Sequence, residues 1–156
     1  METVLASLVA VLGTLVGSFS TYLFQRRTAR HGEEAARAEL RRQERLTACS
    51  EFAAAATELK RGLITAWFRR RDGARDEDAH RAAQADSDRL GAAAETARFR
   101  LLLAADDPEL HRLADQALAV TGRIHRAADR AEVIAVERDF EAALGTFVTA
   151  AAARLR

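Results

Sequence analysis

Apolar residues fall into one continuous block followed by four periodic ones. The first runs from Thr3 to Phe24 without a charged residue. At roughly 1.5 Å per residue its ~22 positions span about 33 Å as a helix, enough for a hydrocarbon core near 30 Å. Glu2 precedes the block, and Arg26, Arg27 and Arg30 follow it. A secretory signal carries its positive charge before the apolar region, so this order predicts a retained transmembrane helix over residues 1–24 rather than a cleaved leader. Arginines immediately after the span hold the following chain in the cytoplasm, and Tyr22 and Phe24 beside them suit the aromatic belt of a membrane boundary. The expectation is a single-pass cell-membrane protein whose C-terminal domain is cytoplasmic and whose first partner is membrane lipid. Within the span, Ala10, Gly13, Gly17 and Thr21 share one helical face. Such a stripe of small residues lets two backbones approach closely, which predicts a homo-oligomer through the transmembrane helix.

From residue 25 to 45 the chain is charged and helix-favouring, with Leu40 its one large apolar residue. A helix without an apolar face reads as a solvated stalk, with Gly32 a candidate interruption. Periodicity returns at residue 46. Cys49, Phe52, Ala56, Leu59, Leu63 and Ala66 alternate steps of three and four, the coiled-coil-like stripe of a core helix over about 46–69. Asp72-Gly73 supplies a turn. A second helix carries Ala83, Leu90, Ala94, Ala97, Leu101 and Ala104. Asp107-Pro108 reads as an N-cap followed by an N1 proline. The third helix then carries Leu110, Leu113, Ala117, Val120 and Ile124. Asp129 and Glu132 have capping-box spacing and open a fourth helix bearing Val133, Val136, Phe140, Leu144, Phe147 and Ala151. Short links between helices of similar length predict an all-α, up-down antiparallel four-helix bundle over residues 46–156.

Composition supports this reading and narrows the chemistry. The 156 residues contain one proline, and Ala, Leu, Arg and Glu dominate, which disfavours a β-fold. Lys and Arg total 24 against 23 Asp and Glu, so a general basic field for polyanions is absent and any nucleic-acid contact must be local. The single cysteine, Cys49, excludes an intramolecular disulfide and reads as a small buried hydrophobe. A Glu-x-x-His spacing occurs at Glu77 and His80, but a di-iron bundle needs two such motifs and two further glutamates. His111 with Asp115 and His125 with Asp129 lie one turn apart, a spacing more typical of solvated charge pairs than of a metal site. No nucleophile elbow, phosphate loop or HExxH motif occurs. The sequence therefore predicts a non-enzymatic protein with no cofactor, no metal site and no small-molecule substrate. The candidate interaction patch is Trp67, Phe68, Arg69, Arg70 and Arg71, able to touch phosphate, anionic lipid or an acidic protein surface. The competing reading is a helix end whose arginines complement the C-terminal dipole while the aromatics cap the core.

The segments AVLGTLVGSFSTYLFQRR, RQERLTACSEFAAAATELKRGLITAWFRRR and ADRAE together resemble KilB-type proteins of mycelial actinobacteria. The resemblance implies a small membrane-located accessory protein of conjugative plasmids, working beside the DNA-translocating machinery during plasmid spread through the recipient mycelium. It supplies no catalytic residues to carry over. Two further readings stand beside it. One is direct nucleic-acid contact through the arginine clusters, against which the interleaved Glu33, Glu34, Glu39 and Glu44 count. The other is a small membrane-disrupting, toxic protein.

Overall fold

The computed structural model describes the backbone of residues 2–72 and 77–155 and the side chains of residues 33–71 and 77–155. Every regular element among them is helical: α1 (Glu2–Asp72), α2 (Glu77–Ala104), α3 (Pro108–Thr121), a 3-10 turn (Ile124–Arg126) and α4 (Arg130–Arg154). The protein is all-α. Among the described residues no helix is long and apolar enough to cross a membrane. The predicted anchor face of Ala10, Gly13, Gly17 and Thr21 and the boundary arginines Arg26, Arg27 and Arg30 lie outside the described side chains. The helical backbone of α1 continues through Gly32, so the candidate interruption there does not form.

The chain divides into two compact units, Met1–Arg41 and Arg42–Arg156. In the first, all the described side chains are exposed, and Glu33 pairs with Arg37 one turn later at 3.4 Å. Leu40 stays in solvent, as the absence of an apolar face requires.

In the second unit, α1 becomes amphipathic at Ala48 and buries Cys49, Phe52, Ala56, Leu63, Ala66 and Trp67. Phe52 meets Phe147 of α4 edge-on, ring centroids 4.9 Å apart, in a core shared with Leu101 of α2 and Leu113 of α3. A second cluster joins Leu63 and Trp67 to Ile124, Val133 and Val136. The contacts of α1 with α2 and of α3 with α4 each run in opposite senses. Glu51 reaches Arg100, while Gly62 lies against Ser87 and Leu90. Asp107 pairs with Arg154, while Arg123 pairs with Asp139. A close approach occurs at buried Gly62, where an added Cβ would sit 2.5 Å from Leu90 Cδ1. Glycine there lets α1 and α2 come closer than a larger residue would allow.

The caps explain the helix starts. Asp107 accepts from the backbone N–H groups of Glu109 and Leu110 at 3.0 and 3.1 Å, with Pro108 in the first turn where a missing N–H costs nothing. Asp129 accepts from the N–H of Glu132, and the Glu132 carboxylate returns to the N–H of Ala128, one residue before the cap. The third helix is shorter than its neighbours, in contrast to the similar lengths predicted. It stops at Thr121, and Ile124 is buried from the 3-10 turn instead. A tighter turn leaves the periodic stripe intact while redirecting the chain toward α4.

Candidate functional site

The predicted interaction patch lies where α1 ends. Trp67 sits in the core stripe, 3% exposed, and its indole N–H donates to the Ala127 carbonyl at 2.9 Å. That satisfies the one polar atom of a buried tryptophan. Phe68, next in sequence, points outward and meets Trp67 edge-on with centroids 5.0 Å apart. Arg70 donates to the His125 carbonyl at 2.9 Å, and Arg71 donates to the Ala128 carbonyl while its guanidinium covers the Trp67 ring at 4.7 Å. Three of the five residues are thus engaged in pinning the connection between α3 and α4 to the end of α1. Phe68 and Arg69 remain exposed.

The pinning brings a second set of arginines to the first. Arg123, Arg126 and Arg130 are all exposed on the segment that Trp67, Arg70 and Arg71 hold. An open groove of about 550 Å³ is lined there by Arg123, Arg126, Ala127, Glu132, Ala135 and Val136. Sequence reading singles out the run at 69–71 and misses these partners. They are scattered through a turn more than fifty residues away, and the carbonyl contacts and the packing around Trp67 bring them together.

Other features belong to the fold. Lys60, the chain's one lysine, is 8% exposed in the core stripe of α1 and reaches Glu137 at 2.6 Å and Glu141 at 3.8 Å on α4. Its amine also lies 5.7 Å from the centre of the Phe140 ring. Cys49 is buried as expected, and burial pushes its thiol pKa up, which disfavours the reactive thiolate. It borders an apolar groove of about 290 Å³ between α1 and α4, whose rim includes Leu46 and Val148. His111 Nε2 lies 2.6 Å from the Ala105 carbonyl, so that nitrogen carries the proton and donates. Asp115 is taken by Arg98, and Asp78 by Arg81. Among the described residues no group of three His, Cys, Asp or Glu side chains could hold a metal ion.

Such an arrangement defines a helical protein whose distinctive surface is a cluster of arginines around a buried tryptophan. The chain belongs to the KilB plasmid transfer protein family, whose family model matches residues 46–155. That stretch takes in the core of the second unit, from just before Ala48 to the end of α4. Neither the curated proteins nor the solved structures contain a match. The family is not a known enzyme family.

Proposed function

We propose that this protein is a non-enzymatic, membrane-anchored accessory component of conjugative plasmid spread that acts by protein interaction. The match of residues 46–155 to the plasmid transfer family carries this reading. The uncharged run from Thr3 to Phe24, followed by Arg26, Arg27 and Arg30, supports a single-pass anchor with the C-terminal domain in the cytoplasm. Residues 25–45 act as a helical stalk, and residues 46–156 as an up-down four-helix bundle that presents its surface to the DNA-transfer machinery. The opposed pairings of Glu51 with Arg100, Asp107 with Arg154 and Arg123 with Asp139 favour that topology. Anchors associate through Ala10, Gly13, Gly17 and Thr21, keeping copies together in the membrane.

The test is a mating assay. A plasmid lacking its own family member is supplied in trans with the native chain, or with a chain lacking residues 1–32. The native chain restores spread and the truncated chain does not; equal spread with and without the native chain would refute the proposed role. Alkaline carbonate separates the anchor from the rest of the proposal, since an integral protein stays with the membrane pellet.

A further inference from the structure

Arginines along the sides of the second unit are mostly neutralised. Arg61 pairs with Glu58, Arg89 with Asp86, Arg100 with Glu51 and Arg112 with Glu109. At the end where α1 stops and α4 begins the pattern changes. Arg69, Arg70, Arg71, Arg126 and Arg130 are all exposed, and among the described residues none has a carboxylate partner. Arg70 and Arg71 do bond the neutral carbonyls of His125 and Ala128, which fixes their stems without cancelling their charge. Of the nearest acids, Asp139 holds Arg123 at 2.6 Å, while Asp129 and Glu132 accept backbone N–H groups and keep their charge, so five arginines stand against two carboxylates there among the described residues. Glu77 and Asp78 at the start of α2 share Arg81. Arg41 and Arg45, at the opposite end, also lack a carboxylate partner among the described residues; there Arg42 donates to the Leu155 carbonyl, but Arg154, the arginine beside that carbonyl, is held by Asp107.

We infer that this five-arginine end is a docking surface for the phosphate backbone of duplex DNA. Guanidiniums without a carboxylate partner among the described residues, on a helix end and turn joined by the carbonyl bonds of Arg70 and Arg71, suit phosphate oxygens, which they can grip with two parallel N–H groups. The exposed Phe68 edge and the groove beside Arg126 give the surface relief without a base-reading helix, so binding is sequence-independent. Lipid headgroups offer the same phosphate chemistry. DNA is chosen over lipid because residues 46–155 match a plasmid transfer family, so the choice rests on the accessory role proposed above.

The experiment uses the full chain in non-ionic detergent, with fluorescence anisotropy of a short labelled duplex of mixed sequence. Binding at low salt should weaken steeply between about 50 and 200 mM salt, with a log–log slope up to about −4.5 for five phosphate contacts. The Arg69→Gln/Arg126→Gln/Arg130→Gln variant removes side chains that make no bond among the described residues, so its helical circular dichroism and melting should match the native chain. Its affinity should fall at least about tenfold and its slope should shrink by about one per arginine. Arg61→Gln/Arg89→Gln/Arg112→Gln, which loses the same three charges from neutralised pairs, should bind like the native chain. Native-like binding by the triple variant would overturn the inference, as would absence of binding at low salt. So would three-arginine-dependent binding to phosphatidylglycerol vesicles in place of DNA. Failure here with spread still restored in the mating assay would remove the DNA surface and leave the accessory role standing.

Discussion

The carboxylate of Asp107 caps α3 with one oxygen and meets the guanidinium of Arg154, near the end of α4, with the other. One side chain therefore both starts a helix and ties it to the last turn of another. Burial alone would raise the Asp107 pKa. The N–H groups of Leu110 and Glu109 and the Arg154 guanidinium outweigh it and hold the carboxyl below the usual carboxylate range. A depressed folded-state pKa contributes stability that is present above the unfolded value, near 3.9, and lost as pH falls through the folded value. Asp107→Asn keeps an N-cap but loses the ion pair, and should cost under about 1 kcal/mol at neutral pH. Asp107→Ala loses both and should cost about 1–2 kcal/mol. In urea melts across pH, the gap between native and Asp107→Asn should close below about pH 4; a gap that widens on acidification would contradict the assignment.

Trp67 joins α1 to the segment after the 3-10 turn through packing and one hydrogen bond. Trp67→Phe should lose the bond to the Ala127 carbonyl and some packing, costing about 1–3 kcal/mol. Trp67→Ala should cost about 3–5 kcal/mol. Circular dichroism melts measure both, since the chain's one tryptophan is gone. A Trp67→Ala protein as stable as the native one would show that the end of α1 is not part of the core.

Two glycines should respond oppositely to a larger side chain. Gly145 lies within α4, and a Cβ added there would meet nothing within 4 Å, so Gly145→Ala should stabilise by about 0.5–1 kcal/mol through helix propensity. At Gly62 an added Cβ meets the tip of Leu90, which can swing aside, but the Cα of Ser87 stands behind it at 3.7 Å. Gly62→Ala should therefore cost at most about 1 kcal/mol and Gly62→Leu about 1–3 kcal/mol or more. Midpoint shifts of the same sign for Gly62→Leu and Gly145→Ala would refute the close approach.

Lys60 gives a further contrast. Lys60→Met keeps the stem and removes a nearly buried charge, and should change stability by less than about 1.5 kcal/mol. Glu137→Ala/Glu141→Ala leaves the ammonium against the core without a carboxylate and should cost about 1–3 kcal/mol. Equal losses in the two proteins would mean that the ion pair itself, rather than the cost of leaving Lys60 alone, dominates.

Apolar steps of three and four residues are enough to locate all four helical segments of the second unit, because each stripe marks a face that must be covered. Asp107-Pro108 and Asp129 mark two starts for an equally local reason: capping is decided within one turn. The early end of α3 is hidden from such a reading, since Ile124 keeps the stripe's phase while the backbone has already tightened. The aromatic–arginine run is legible as a helix end, but the engagement of Trp67, Arg70 and Arg71 with carbonyls near residue 127 depends on long-range closure. The same holds for Lys60, which reads as a polar break in an apolar stripe until Glu137 and Glu141 are beside it.

Arg42 donates to the Leu155 carbonyl at 2.6 Å, so the second unit leaves its last helix beside the point where its first begins. This adjacency makes the unit a natural insert: spliced into a surface loop of a carrier protein, it would ask the host to open by about the reach of one arginine side chain. Circularly permuted chains that join residue 155 to residue 42 through a short linker should keep the same core, with the arginine end left unobstructed at the opposite pole.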